Sequence, residues 1–147
     1  MSKDIILIIG ASSDIGIDLI KNIDEDALIL AHYNSSNKGL SELSNKIDKE
    51  LVMIKADLSI EDETISMIED IENKYGIPNK IIHLAAPKFE NIRFKDIKLD
   101  DFQNDLEISL KSLIIILSYG PNVLDSFLWV KTHPACDLPC FLLYIQE

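Results

Sequence analysis

The sequence predicts an α/β fold built on a doubly wound parallel sheet. Short apolar runs of the kind found in buried strands recur at residues 5–9, 27–31, 51–54 and 80–86. Stretches with apolar residues at helical spacing separate these runs, and glycine, proline or polar residues stand at the junctions. Strands that alternate with helices of this length require a parallel sheet covered on both faces, with right-handed crossovers.

The first run ends in a short turn of small residues. Residues 5–9 are aliphatic and stop at Gly10, and the segment 10–16 reads Gly-Ala-Ser-Ser-Asp-Ile-Gly. A helix follows, indicated by the spacing of Ile15, Leu19, Ile20 and Ile23. Free backbone N–H groups and the positive end of the helix dipole favour an anion there, and glycine allows a ligand to approach the backbone. The turn therefore predicts a diphosphate site.

The second strand, residues 27–31, runs into a polar cluster at 32–36 that reads as a loop. Leu40, Leu43 and Ile47 mark the next helix, and residues 51–54 form the third strand.

The third strand leads through Asp57 into an acidic helix over residues 61–75. Its apolar face carries Ile65, Ile68 and Ile71. Gly76 ends this helix and Pro78 prevents it from resuming.

The fourth strand, residues 80–86, is followed by a helix over about 99–117. Its helical spacing is carried by Phe102, Leu106, Ser109, Leu110 and Leu113. Residues 113–117 are too short an apolar run to span a bilayer and read as core, or as a helix face for subunit contact. The rest, 118–147, is an atypical segment in which residues 127–130 form a candidate fifth strand running to Thr132.

Length, net charge and cysteine content limit the classes of function that the chain can have. A chain of 147 residues suits a single domain over 1–147. Its formal charge of −11 argues against nucleic acid or an anionic membrane as a partner. With no signal peptide or membrane span we expect a cytoplasmic protein. Cys136 and Cys140 lack further ligands at metal-binding spacing, so no metal site is expected.

Ligands of such sheets bind beyond the carboxyl ends of the strands, near the point where strand order reverses. The candidate ligand-binding residues are therefore those that follow each strand: Ser12, Ser13, His32, Tyr33, Asn34, Asp57, Ala85 and Ala86. Asp57 has a second interpretation as the N-cap of the next helix. His83 reads as a buried or strand-end histidine rather than a proton carrier.

These segments together resemble the short-chain dehydrogenase/reductase family over most of the first 117 positions. Gly10 and Gly16 match the first and last glycines of that family's cofactor turn, and Asp14 stands where the middle glycine is expected. Residues 83–86 stand in place of an Asn-Asn-Ala-Gly segment. The sequence of residues 32–36 resembles the corresponding segment of 3-oxoacyl-carrier-protein reductases.

The resemblance implies a Rossmann-like dinucleotide-binding fold, incomplete on the C-terminal side, and a set of cofactor contacts. Asp57 would accept a hydrogen bond from the adenine amino group. The implied cofactor-binding residues are Gly10, Ser12, Ser13, Ile15, Gly16, His32, Tyr33, Asn34, Asp57, Leu58, Ala85 and Ala86.

Cofactor choice depends on the residues that follow the second strand. An acidic side chain there binds the ribose diol of NAD and repels the extra phosphate of NADP. This chain has none at 32–34, so NADP or NAD is expected with a slight lean to NADP. Arg93, the only arginine in the chain, lies elsewhere in the sequence and gives that lean no support.

The family's proton donor is a tyrosine with a lysine four residues later, and no Tyr-x-x-x-Lys occurs in this sequence. Ser109 takes the place of the family's helix asparagine, and Thr132 and Tyr144 are the remaining catalytic candidates.

Three hypotheses follow. The first is an NAD(P)(H)-dependent oxidoreductase acting on a small carbonyl or alcohol, with a possible homo-oligomer through the helix around 99–117. The second is a truncated or frame-shifted half-fold that binds a dinucleotide without catalysis, or pairs with another chain through an exposed sheet edge. The third is another doubly wound protein that binds a nucleotide or flavin at the same turn.

Overall fold

The computed structural model describes residues 3–24, 26–87 and 93–119, together with the backbone of two strands at 126–129 and 143–145. The strands are β1 (Asp4–Ile9), β2 (Ala27–Tyr33), β3 (Leu51–Lys55), β4 (Lys80–His83), β5 (Ser126–Trp129) and β6 (Leu143–Ile145). The helices are α1 (Asp14–Asn22), α2 (Lys38–Ser44), α3 (Glu61–Tyr75), α4 (Leu99–Leu106) and α5 (Ser112–Tyr119), with a π-helical turn at Glu107–Lys111 and a 3₁₀ turn at Phe94–Asp96.

The strands form one sheet in the order β3-β2-β1-β4-β5-β6. Strands β1 to β5 are parallel, whereas β6 pairs antiparallel with β5. The predicted doubly wound α/β fold is confirmed, with one antiparallel edge strand, which is common on otherwise parallel sheets. The winding direction reverses between β1 and β4, and this reversal marks the expected ligand position.

Each face of the sheet carries its own apolar cluster. Ile6, Ile8 and Ile29 pack with α1 and α2 on one face, while Leu7, Ile9 and Leu30 pack with α3 and α5 on the other. Neighbouring residues of β1 therefore serve opposite layers, and all four positions from Ile6 to Ile9 are at most 3% exposed. Burial on both faces explains why this strand reads as an unbroken aliphatic run.

The predicted end of α3 is confirmed. The helix stops at Tyr75, and Gly76 adopts φ +98° and donates its N–H to the Ile71 carbonyl. A residue with a side chain is strained at that φ, which is why glycine ends the helix here.

The predicted helix over 99–117 is present, but it contains a π-helical turn that shifts its faces. Ser112, Ile115 and Ile116 are its buried residues, which confirms part of the 113–117 run as core. The large apolar side chains at the other positions are exposed instead: Leu99, Phe102, Leu106, Leu110, Ile114 and Leu117. The pattern at Phe102, Leu106 and Leu110 thus marks an outer face.

Three smaller expectations were wrong. His32 and Tyr33 belong to β2 rather than to a loop, because both continue the pairing with β3. Ile47 lies beyond the end of α2. Ile15 is 47% exposed, so it is not part of the buried face of α1.

No helix within the described ranges is both long and apolar enough to cross a bilayer. Most of the segment 118–147, including Thr132, Cys136 and Cys140, lies outside the described residues.

Candidate functional site

The turn between β1 and α1 is held by close backbone contacts at its two glycines. Gly10 has φ +79°, and a Cβ there would lie 2.8 Å from the Ala85 backbone nitrogen. A Cβ at Gly16 would lie 2.5 Å from the Ala11 carbonyl oxygen. Neither position has room for a larger residue, since the neighbours are backbone atoms that cannot move aside.

Ser13 closes the turn and caps α1. Its Oγ donates to the Gly10 carbonyl at 2.9 Å and accepts the Gly16 N–H at 3.1 Å. Ser13 is the N-cap residue of the helix, a position where a serine side chain satisfies one of the free N–H groups.

Three other N–H groups belong to the turn and to the first residues of α1. The backbone N–H groups of Ser12, Asp14 and Ile15 have no acceptor among the residues that the structure describes. They lie at the positive end of the α1 dipole, where an anion is favoured. The Asp14 side chain is exposed, so its carboxylate can lie in water rather than in the turn. The two glycine N–H groups, in contrast, are already bonded within the protein.

His32 connects this turn to the end of β3. His32 is 2% exposed. The Gly10 N–H donates to Nδ1 at 3.1 Å, and Nε2 lies 3.1 Å from the Ala56 carbonyl oxygen. Because Nδ1 accepts, the ring proton resides on Nε2 and is donated to Ala56. Burial lowers the pKa of His32, although the bond to Ala56 and the nearby Asp57 partly oppose that effect.

Asp57 stands at the end of β3 in an Asx-type turn. Its Oδ1 accepts from the Ser59 backbone N–H at 3.0 Å and from the Ser59 hydroxyl at 2.7 Å. These bonds lower the pKa of the Asp57 carboxyl, with Asn34 and His32 contributing further. The alternative interpretation as a helix cap was wrong, since the N-cap of α3 is Ile60. A charged carboxylate therefore stands beside the turn.

A cavity of about 370 Å³ lies over these strand ends. Its walls come from the β1–α1 turn, the end of β2, the start of the β3–α3 connection and the residues after β4. All the predicted cofactor-binding residues except Gly16 and Tyr33 line it. It is therefore located at the carboxyl ends of the strands, where the winding of the sheet reverses.

The two exceptions have other contacts. Gly16 packs against the Ala11 backbone, and Tyr33 packs into the cluster beneath α1 and α2. Leu84, Pro87 and Ile108 line the cavity although the sequence did not suggest them. Leu84 and Pro87 flank Ala85 and Ala86, so the position of these residues after the fourth strand was the only sequence signal for them. No local sequence signal indicated Ile108.

Of the three catalytic candidates, only Ser109 has a described side chain. Ser109 is absent from the cavity lining, and its hydroxyl donates to the Asp105 carbonyl at 2.6 Å. Thr132 lies outside the described residues, and for Tyr144 only the backbone of β6 is described.

A second buried imidazole lies on the same sheet face as His32. His83 is fully buried, and its Nε2 is 3.1 Å from Ser112 Oγ. Since Ser112 donates its own proton to the Ile108 carbonyl, His83 donates from Nε2. His83 Nδ1 has no partner within the described part of the chain. Burial, and secondarily His32, lowers the pKa of His83 to about 4. The predicted buried histidine is confirmed.

Among the described residues, no three His, Cys, Asp or Glu side chains come close enough to hold a metal ion.

The sequence profile of the short chain dehydrogenase family matches residues 4–123. A search of curated proteins found no significant match.

Solved structures share the fold at low sequence identity. A protein from Burkholderia cenocepacia described as a dehydrogenase, with bound NADP, superposes with a TM-score of 0.69 at 18% identity, over 80% of this chain and 46% of its own. A short chain dehydrogenase/reductase from Saccharomyces cerevisiae superposes with a TM-score of 0.73 at 16% identity, over 92% of this chain and 56% of its own. An NADH-dependent reductase complexed with NAD superposes with a TM-score of 0.69 at 14% identity, over 81% of this chain and 51% of its own. This chain therefore spans about half the length of each.

Proposed function

Since the chain belongs to the short chain dehydrogenase family, we propose that it binds a nicotinamide dinucleotide in the cavity at the carboxyl ends of β1 to β4. The observation that carries this proposal is the β1–α1 turn. Its two glycines have no room for a Cβ, and it presents the N–H groups of Ser12, Asp14 and Ile15 at the positive end of a helix.

The residues around the cavity fit such a ligand. The N–H groups of the turn suit a diphosphate, and no basic side chain is needed because the helix dipole supplies the field. The Asp57 carboxylate, charged and facing the cavity, suits an amino group such as that of adenine. Ala85 and Ala86 leave the ligand close access to the backbone after β4.

We propose NADP(H) ahead of NAD(H) as the ligand. Asn34 follows β2 directly and lines the cavity. In a dinucleotide-binding fold, a carboxylate after this strand would bind the ribose diol of NAD and repel the phosphate of NADP. An amide accepts either cofactor, since it carries no charge.

The bound cofactor would supply hydride chemistry to a carbonyl or alcohol, and we propose that the whole protein is an oxidoreductase of this kind. The finer likeness to 3-oxoacyl-carrier-protein reductases is part of the same proposal. Because Ser109 bonds to the Asp105 carbonyl and no Tyr-x-x-x-Lys occurs in the sequence, binding without turnover by this chain is the second candidate.

A first experiment tests binding at the turn. NADPH and NADH are titrated by fluorescence into the wild type, Ser12→Glu and Ser66→Glu. We expect Ser12→Glu to abolish binding because its carboxylate competes for and repels the diphosphate. Ser66→Glu adds the same charge on an exposed position of α3 and should bind normally. Equal binding by all three proteins would refute the site, and adding a carbonyl substrate separates binding from turnover.

A second experiment tests cofactor choice with Asn34→Asp. Aspartate matches asparagine in size and adds one negative charge, so it should weaken NADPH binding by roughly tenfold or more relative to NADH binding. The new charge also lies beside Asp57, and that effect is common to both cofactors. Equal effects on both cofactors would mean that residue 34 does not face the ribose.

We also propose that the outer face of the 99–117 helix contacts a second copy of the chain. No residue of α4 is buried, and the exposed apolar side chains from Leu99 to Leu117 form one stripe. Sedimentation should show a dimer that Leu110→Lys dissociates and Gln103→Lys, at an exposed position with a polar side chain, does not. A monomeric wild type would refute this.

A further inference from the structure

One buried side chain joins the β1–α1 turn to the end of β3. The Gly10 N–H donates to His32 Nδ1, and His32 Nε2 donates to the Ala56 carbonyl, both at 3.1 Å. Backbone bonds run beside it, from Ala11 N–H to the His32 carbonyl at 2.9 Å and from Ala56 N–H to the Tyr33 carbonyl at 3.2 Å. The imidazole therefore completes a hydrogen-bonded row across β1, β2 and β3.

The peptide that His32 holds is the one that starts the turn. Gly10 has a positive φ and lies against the backbone of Leu84 and Ala85, so it can rotate little on that side. Its carbonyl accepts from Ser13, the residue that caps α1. The orientation of the Gly10 peptide thus sets where the chain leaves β1, and with it the direction of the free N–H groups that follow.

We propose that His32 is a positioning residue for the dinucleotide site, holding the turn in its anion-binding shape as a neutral imidazole and releasing it on protonation. This inference rests on the proposed function. A protonated ring carries hydrogen on both nitrogens. The Nδ1–H would then oppose the Gly10 N–H, donor against donor, and a buried amide would lose its acceptor.

The groups that face His32 determine when the ring gains its proton. Asp57, at the end of β3, favours the charged ring, and His83, on β4 beyond Ile9, disfavours it when charged. Burial is the largest effect and places the pKa of His32 below its ordinary value of 6.5. The neutral ring therefore dominates at pH 7, and the turn is released only in acid.

The test measures ADP-ribose affinity by calorimetry from about pH 8 to pH 5. This probe carries the same diphosphate charge throughout, unlike NADPH, whose extra phosphate titrates in that range. The wild type should lose affinity below the pKa of the ring, at most about tenfold per pH unit because one proton is taken up. His32→Asn keeps an acceptor near the Nδ1 position and cannot be protonated, so its affinity should not depend on pH in this way.

His83→Gln is the matched control, since it removes the other buried imidazole and leaves the Gly10 bond in place. It should retain the pH dependence of the wild type. The same pH dependence in the wild type and in His32→Asn, including no dependence in either, overturns the role of His32 but not the proposed function. Wild-type binding that strengthens in acid overturns the role of His32 as well. Absence of binding by both proteins at pH 8 overturns the proposed function as well.

A second measurement needs no variant and guards against failure of His32→Asn to fold. Nitrogen NMR of the wild-type imidazole should show the proton on Nε2 at neutral pH. The protection of the Gly10 amide against exchange, relative to its intrinsic rate at each pH, should fall as the ring becomes charged. A proton on Nδ1, or Gly10 exchange that is indifferent to the charge of the ring, would overturn the proposal.

Discussion

Replacing His83 with glutamine should reduce the acid sensitivity of folding. The pKa of His83 is lowered from 6.5 to about 4 in the folded protein, mainly by burial. As pH falls below 6.5 the unfolded chain takes up a proton that the folded protein does not, so stability is complete above that pH and declines in acid.

The size of the effect follows from those two values. Between pH 6.5 and pH 5 the unfolded ring is mostly charged and the folded ring mostly neutral. A gap of roughly 1.5 pH units at about 1.4 kcal/mol per unit costs about 2 kcal/mol of stability. Below the folded pKa the loss levels off at about 3 kcal/mol.

The assay is urea unfolding of the wild type and His83→Gln at pH 7.5 and pH 5. Glutamine reaches a similar position, can donate to Ser112 Oγ and does not titrate. The wild type should lose about 2 kcal/mol more than the variant over this interval, and contributions from distant carboxylates cancel in the comparison. An equal loss in both proteins would refute the reasoning, since it would mean that folding does not hold the ring neutral.

Three further predictions concern the β1–α1 unit, each measured as the free energy of unfolding in urea. Gly16→Ala should destabilise by about 2 kcal/mol or more, because its Cβ would meet the Ala11 carbonyl oxygen at 2.5 Å. Gly39→Ala meets only the far end of an isoleucine side chain and should be neutral, or stabilising by up to about 1 kcal/mol through helix propensity; equal losses at both sites would contradict this. Ser13→Ala should cost about 1 kcal/mol and Ser13→Asn much less, since asparagine also caps helices. Lys49→Met should cost about 2 kcal/mol by removing the ammonium from the carbonyls at the end of α1, and an unchanged midpoint would show that water replaces it without loss.

Local patterns predicted much of the fold. The aliphatic runs gave β1 to β4, and the glycine after α3 gave that helix its end, because these signals depend on neighbours within a few residues. The helix at 99–119 shows what such local signals do not predict, which is the face of a helix that is buried. Its spacing was correct, but a π-helical turn and the position of the sheet decide that Ile116 is buried and Phe102 is exposed.

The candidate site divides in the same way. Nearly every residue expected at the cavity lines it, because the carboxyl ends of parallel strands must share one edge. Ile108 was missed since it belongs to the π-helical turn rather than to a strand end. Tyr33 was misplaced because a strand turns alternate residues to opposite faces.

What the sequence determined by itself is the order of strands and helices and the turn that opens toward an anion, since periodicity, glycine and an N-cap serine act over a few residues. Tertiary structure alone decided which groups that turn uses. His32 takes the Gly10 N–H from 22 residues away and reaches Ala56 across 24 more. Only the pairing of β1, β2 and β3 brings these atoms within bonding distance, and burial then keeps the ring neutral.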